Sequence, residues 1–150
     1  MKARFALPLA VLALVLMPRV GKSQGTQPVK QKSVVSAGKV YPNPSNPESR
    51  WTFQVGDYPA CSEGGKQYRV TVKILNILVQ VVKVPQLEGG SGGVAGGGQR
   101  LEGAMLPCGE YTAYWNGKYL DTSREAASGV YIWSATVDGK TVTQRATVAK

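Results

Sequence analysis

The chain has 150 residues, a length typical of one domain, and it carries 18 Lys and Arg against 9 Asp and Glu. It contains no His, which removes the commonest general base and the commonest metal ligand from any hypothesis about a site. Its 18 Gly and 9 Pro follow no period, which indicates a turn-rich globular chain and excludes a collagen-like one.

Residues 1–23 have the pattern of a secretory signal peptide. Lys2 and Arg4 form a basic start, and an apolar run follows from Phe5 to Met17. That run is shorter than the roughly 20 residues that a membrane-spanning helix needs. We therefore predict Sec-type export, with cleavage before Gln24, to the periplasm, the cell surface or the extracellular space. An uncleaved membrane anchor is the alternative.

Loss of this leader changes the charge balance. It removes four of the 18 basic residues and none of the 9 acidic ones, so the remaining chain has a net charge of 14 − 9 = +5. The basic residues that remain are scattered along the sequence, whereas a nucleic-acid surface needs them clustered. We therefore predict no nucleic-acid partner.

Cys61 and Cys108 are the two cysteines of the chain. An even count in an exported protein predicts one disulfide bond, and two free buried thiols are the alternative. A metal or redox site is not supported, because the chain has no Cys-x-x-Cys pair and no His.

Residues 24–39 are polar and predict a flexible tether, so that the folded domain spans residues 40–150. The stretch from Tyr41 to Pro47 contains three prolines. Each proline fixes φ and removes a backbone donor, which excludes a helix or a central strand here.

Beyond this stretch, short segments alternate apolar and polar residues, as strands with one buried face do. The segment 129–137 is apolar on both faces, which predicts a central strand. Turn residues separate the segments, namely Asn76, Asn116-Gly117 and Asp138-Gly139. The predicted strands are 39–41, 50–55, 67–75, 79–84, 109–115, 129–137 and 141–149.

The Gly-rich stretch 89–98 lacks the Lys-Ser/Thr ending and the following helix of a phosphate-binding loop. It predicts a flexible hairpin insertion instead. About seven short strands without a helix predict an all-β, immunoglobulin-like antiparallel β-sandwich, with a closed barrel as second choice. Trp51, Trp115 and Trp133 are expected to fill much of its core.

Catalysis is not expected. The carboxylates show no suggestive pairing, no Gly-x-Ser-x-Gly motif is present, and a serine triad would lack its usual base. We predict no catalytic residue, no cofactor, no metal and no small-molecule substrate.

Five stretches resemble bacterial C-terminal immunoglobulin-like domains, which include the type A sorting domains of type IX secretion and a domain of the flagellar hook-capping protein. One of them, from Val72 to Asn76, resembles the family's strand that ends in Tyr-Asn. The opening stretch resembles the family's Tyr-Pro-Asn-Pro-Phe-Asn-Pro, with Ser45 in place of Phe. The segments 109–117 and 127–131 resemble its Gly-x-x-x-x-x-Trp-Asp-Gly and Ala-Ser-Gly-Val-Tyr, and 143–150 resembles its closing strand. The matching residues are Tyr41, Pro42, Asn43, Pro44, Asn46, Pro47, Trp115, Gly117, Ser128, Gly129 and Tyr131.

The resemblance implies a non-catalytic sorting or surface-attachment domain, which secretion machinery or a cell-surface component recognises as a folded unit. A free-standing secreted or periplasmic β-sandwich that binds another protein is the alternative. In either case we predict a monomer with a protein partner.

Overall fold

The structure of the chain, a computed structural model, describes residues 33–89 and 98–150. The predicted signal peptide, residues 24–32 of the predicted tether and residues 90–97 of the Gly-rich stretch lie outside the described residues. The described residues form no helix, and hence none that could cross a membrane. Their strands are β1 Val35–Tyr41, β2 Ser49–Val55, β3 Gln67–Leu75, β4 Val81–Lys83, β5 Gln86–Glu88, β6 Ala104–Pro107, β7 Gly109–Trp115, β8 Gly129–Val137 and β9 Lys140–Val148.

The strands form two packed antiparallel sheets. The first sheet has the order β1-β2-β7-β5, and the second has the order β4-β3-β8-β9, with β6 pairing along the first half of β3. These orders match the A-B-E-D and C′-C-F-G sheets of immunoglobulin-like sandwiches. The predicted fold is therefore confirmed, although nine strands are present where about seven were predicted.

The core lies between the sheets and is filled from strands that bury every second residue. Along β2 and β7 the buried side chains alternate with half-buried ones, as their sequences predict. Trp51, Trp115 and Trp133 are at most 1% exposed. The ring of Trp133, on the second sheet, lies 6.0 Å from that of Trp51 and 6.3 Å from that of Trp115, both on the first. These aromatic contacts join the two sheets.

The alternation of the sequence predicted three strands with their observed bounds: β3, β7 and β8. The hairpin turn at Asp138-Gly139 is also confirmed, because both residues have the positive φ values, 45° and 80°, that such a turn requires. In β9, Ala146 and Val148 are buried and Val142 packs against the core, as predicted.

The predicted boundary between tether and domain is wrong. Residues 35–39 belong to β1, which pairs with β2 from Val35 to Tyr41. The sequence hides this strand because residues 36–39 are exposed and polar or small, and because a bulge interrupts the register after Ala37. A Cβ on Gly38 would lie 2.7 Å from the carbonyl oxygen of Thr52, so glycine allows the close approach of β1 to β2.

One further strand prediction needs correction, and two short strands were missed. β4 begins at Val81 and not at Val79, because Val79 adopts a positive φ of 62° and ends the preceding turn. β5 and β6 were not predicted, since three or four residues are too short to show an alternation. The described ends of the Gly-rich stretch do pair as a hairpin, with the N–H of Gly98 donating to the carbonyl of Leu87 at 2.7 Å.

The central strand β8 buries one face only. It lies between β3 and β9, as predicted, but Val130 is 44% exposed and Ile132 is half-buried. Its apolar outer face therefore belongs to the surface of the second sheet and not to a second core.

The predicted disulfide bond between Cys61 and Cys108 is present, with the two Cα atoms 5.5 Å apart. It ties the connection between β2 and β3 to the junction of β6 and β7. A disulfide bond is what an oxidising compartment permits.

Removal of this bond should lower the free energy of unfolding. The separation of 47 residues closes a loop of 48 residues counted inclusively, for which chain entropy gives about 4 kcal/mol. Urea unfolding of the purified Cys61→Ser/Cys108→Ser variant should show a loss of about 2–4 kcal/mol. Reductant should destabilise the parent by a similar amount and leave the double variant unchanged. The prediction would be contradicted if the parent, with its disulfide bond reduced while unfolded, had the same free energy of unfolding as without reductant.

Candidate functional site: the motif cluster

The residues that carry the family resemblance come together at one end of the sandwich, and we call this group the motif cluster. Its first part is the proline-rich opening, residues 41–47, which lies against the last strand. The N–H of Ser45 donates to the carbonyl of Thr147 at 2.9 Å, and the N–H of Ala149 donates to the carbonyl of Ser45 at 2.9 Å. The side-chain oxygen of Asn43 accepts from the N–H of Thr147 at 2.9 Å. The opening is thus a short parallel addition to β9.

Ser45 stands where the family pattern has Phe, and its side chain is 1% exposed. Its hydroxyl donates a long hydrogen bond to the carbonyl oxygen of Thr147, at 3.4 Å, so the buried hydroxyl has a partner. Tyr41, Pro42, Pro44 and Asn46 are exposed, so they form the outer surface of the motif cluster.

Pro47 and Gly117 form the second contact of the motif cluster. Gly117 has a φ of +71°, and a Cβ built on it would lie 2.4 Å from the Cβ of Pro47. The carbonyl of Gly117 also accepts from the N–H of Ala126 at 2.8 Å, which holds the connection before β8. This position therefore requires glycine for its backbone conformation and for the space that the proline ring occupies.

Trp115 and Tyr131 form the third contact, edge to face, with ring centroids 5.3 Å apart. The indole N–H of Trp115 donates to the carbonyl of Lys118 at 2.9 Å, and the hydroxyl of Tyr131 donates to the carbonyl of Ala127 at 2.7 Å. The second bond is the tyrosine corner of immunoglobulin-like sandwiches, in which the hydroxyl of a Tyr near the start of strand F, here β8, bonds a backbone group a few residues upstream. Burial raises the pKa of the Tyr131 hydroxyl, although Lys150 opposes the shift.

The last contact closes the chain end onto the connection before β8. The hydroxyl of Ser128 accepts from the N–H of Lys150 at 3.2 Å. The Lys150 ammonium also lies 2.8 Å from the carboxylate of Glu125, which lowers the pKa of that carboxyl. Gly129 begins β8 and has open space where a Cβ would be. The structure thus brings all the predicted motif residues to one region, and most of them hold the fold.

The other side of the second sheet is open to solvent, and we call it the outer face. A depression of about 380 Å³ on it is lined by Thr71, Lys73, Ser134, Thr136 and Thr141. Hydroxyls and one ammonium are the only functional groups of that lining. In residues 33–89 and 98–150 no group of three His, Cys, Asp or Glu side chains is placed to hold a metal ion.

One surface feature was missed by sequence reasoning. Ile77, Leu78 and Val79 are 73%, 71% and 68% exposed at the turn between β3 and β4, and we call them the apolar tip. Asn76 holds this turn, since its side-chain oxygen accepts from the N–H groups of Leu78 at 3.0 Å and Gln80 at 2.9 Å. The apolar run looked like part of a strand, and only the Asn before it signalled a turn.

An ionic group lies beside β4. Lys83 and Arg100 both contact the carboxylate of Asp121, at 2.8 Å and 3.3 Å, and their hydrogen bonds lower the pKa of Asp121. The N–H of Leu120 donates to the carbonyl of Val82, so the same connection covers the edge of β4. These exposed pairs are surface interactions of small energy and form no catalytic arrangement.

Comparison of the chain with protein-family models, with curated proteins and with solved structures finds no match.

Replacement of Gly117 should test the contact with Pro47. Gly117→Ala should lower the free energy of unfolding by at least about 2 kcal/mol, because strain at positive φ adds to the clash with the proline ring. Gly65→Ala is the matched control, since Gly65 has a φ of +77° but nothing within 4 Å of its Cβ position. It should cost about 1 kcal/mol, from strain alone. Equal losses in denaturant unfolding would contradict the contact.

Tyr131→Phe should change the alkaline stability. The pKa of Tyr131 is raised in the folded protein, so the folded state holds this proton more tightly than the unfolded state does. Its contribution is therefore present below the usual tyrosine pKa of about 10 and is lost as the pH rises above it. The variant should lose about 1 kcal/mol at pH 7, from the bond to Ala127, and should fall less steeply above pH 10. Tyr41→Phe, at an exposed ring, should follow the parent at every pH.

Proposed function

We propose that the chain is an exported, non-catalytic recognition domain with a role like that of the type A C-terminal sorting domains of type IX secretion. In this role a translocation machine of the outer membrane, or a cell-surface component, binds the folded domain as an address. The partner is a protein, and the chain acts as a monomer without cofactor or metal.

The motif cluster is the observation that carries this proposal. The family resemblance rests on five stretches that are separated in the sequence, and in the fold four of them, 41–47, 109–117, 127–131 and 143–150, contact one another. Asn43 bonds Thr147 across 104 residues, Pro47 packs on Gly117, and Trp115 packs on Tyr131. Chance matches to short motifs have no reason to meet in space, so the meeting supports a likeness of whole domains.

The proposed location follows from the leader and the disulfide bond. A basic and apolar start predicts Sec-type export, and the bond between Cys61 and Cys108 suits an oxidising compartment. Lack of catalysis stays a prediction from the sequence, which has no His and no serine-triad motif.

A free-standing protein-binding module is the second candidate, and the apolar tip favours it. Three consecutive apolar side chains that are about 70% exposed gain little of the hydrophobic stabilisation that burial in the core would give them. A rigid protrusion of this kind suits contact with another protein whether or not the domain also directs sorting.

A reporter fusion separates the two candidates. Residues 33–150, which keep β1 whole, should be fused behind a periplasmic reporter in a host with type IX secretion. The sorting role predicts that the reporter reaches the cell surface, as measured by protease accessibility on intact cells. Fusions carrying Gly65→Ala should behave like the parent, and those carrying Gly117→Ala should fail, because the motif cluster no longer closes. A folded parent domain that leaves its reporter in the periplasm would refute the sorting role and favour the free-standing module.

A further inference from the structure

The first half of β9 is a sheet edge with free backbone groups. The two-residue turn at Asp138-Gly139 pairs Val137 with Lys140, so the even-numbered residues of β9 bond β8 and the odd-numbered ones face outward. In the described part of the chain, nothing accepts from or donates to the outward backbone groups of Thr141 and Thr143. The outward N–H of Arg145 is likewise without an acceptor there.

The other sheet edges of the described residues are covered, short or irregular. The Leu120 N–H covers β4, and the Gln99 carbonyl accepts from Leu87 at the edge of β5. β6 has four residues and ends in Pro107, and a bulge interrupts β1. β9 is nine residues long, pairs with β8 without a bulge, and contains no proline. It thus lacks two of the devices by which edge strands usually avoid pairing, proline and a bulge, although it does carry the charged residues Lys140 and Arg145.

The chain itself shows that this edge accepts a strand. At Thr147 and Ala149 the outward groups of β9 bond Ser45 in parallel orientation, at 2.9 Å in both bonds. A second segment laid along Thr141 to Arg145 would continue the same edge. The free part of this edge offers the outward N–H groups of three residues, Thr141, Thr143 and Arg145. It ends at Thr147, where residues 43–45 bond β9.

The charges of the neighbouring side chains decide the chemistry of such a segment. On the outer face, the side chains of β3, β8 and β9 include no carboxylate. Of the cations there, Arg145 lies on β9 itself, and Lys73 lies on β3, separated from the edge by Ser134 of β8 and Thr143 of β9. Neither cation has an ion-pair partner among the described residues. On the inward side, the partly buried Val142 lies at the edge, where an apolar side chain of an added strand would cover it.

We propose that β9 binds an extended acidic segment of a protein partner as an added strand along Thr141 to Arg145. Alternate side chains of that segment are acidic, facing Arg145 on the outer face, and apolar, facing Val142. Main-chain hydrogen bonds supply affinity, and the two rows of side chains supply specificity. This inference rests on the proposed recognition role and names the chemistry of the partner, but its test does not depend on the route of export.

The experiment measures binding of a fluorescent peptide of eight alternating Glu and Val residues to the purified full chain. Thr143→Pro is the decisive variant, because its lost N–H points to solvent and leaves the pairing with β8 intact. Thr143→Ala is its matched control. The proline variant should bind at least about tenfold more weakly than the parent, since it loses one hydrogen bond and blocks close approach, while the alanine variant should match the parent.

Charge reversal gives a second variant that leaves the backbone unchanged. Arg145→Glu should weaken binding of the acidic peptide, and Lys118→Glu, on the connection between β7 and β8, should not. A peptide of alternating Lys and Val should bind the parent more weakly than the acidic peptide. Amide chemical shifts in a nitrogen–proton NMR spectrum should change most at residues 141, 143 and 145.

Four results would overturn the proposal. These are no binding at millimolar peptide, equal binding to Thr143→Pro when that variant is folded, shift changes centred elsewhere, and equal affinity for the basic peptide. Two further outcomes would replace the partner. If the parent sediments as a dimer and Thr143→Pro sediments as a monomer, the segment that occupies the edge belongs to a second copy of the chain. If the parent binds phosphatidylglycerol vesicles and not the peptide, the partner is an anionic membrane. Failure of peptide binding with successful surface display would reject this inference and leave the proposed function standing.

Discussion

The pairing of Ser45 with β9 is the interaction on which the rest of the structure depends. Its two backbone hydrogen bonds join a segment near the start of the domain to the last strand, across about a hundred residues. Each such bond contributes only about 1 kcal/mol in net terms, but it fixes the connection between β1 and β2 of the first sheet against the last strand of the second sheet. The prolines around Ser45 reduce the conformational freedom that this fixing would otherwise remove.

From that anchor a line of contacts runs into the core. Pro47 is held over Gly117, whose positive φ turns the chain directly after Trp115. Trp115 packs against both Tyr131 and Trp133 of the second sheet. The motif cluster therefore links surface backbone pairing to the aromatic contacts between the sheets. The residues that carry the resemblance are therefore also residues with turn and packing roles in this fold.

The sequence was informative where a strand is long and one face is buried. Gln67–Leu75 shows four alternations, and its bounds and buried face followed directly. The disulfide bond followed from a count of two cysteines. β5 and β6 were invisible because they span fewer than two alternations. Only the end of β1, residues 39–41, was predicted, because the exposed side chains before it are polar or small. The contacts of the motif cluster could not be derived, since no local pattern states that Asn43 and Thr147 are neighbours. Val79 was misread because its φ depends on the Asn76 turn and not on its own preference for strands.

The open half of β9 is a consequence of the same proline-rich segment that closes the other half. Proline has no backbone N–H, so the segment can offer β9 little beyond the N–H and carbonyl of Ser45 and the side chain of Asn43. Upstream, β1 pairs with β2 in the first sheet, so it makes no backbone hydrogen bond to β9 although it lies close beside that strand. The connection between β1 and β2 therefore bonds only the end of β9. The free groups at Thr141 and Thr143 therefore arise from the topology itself, and a separate segment is needed to satisfy them without water.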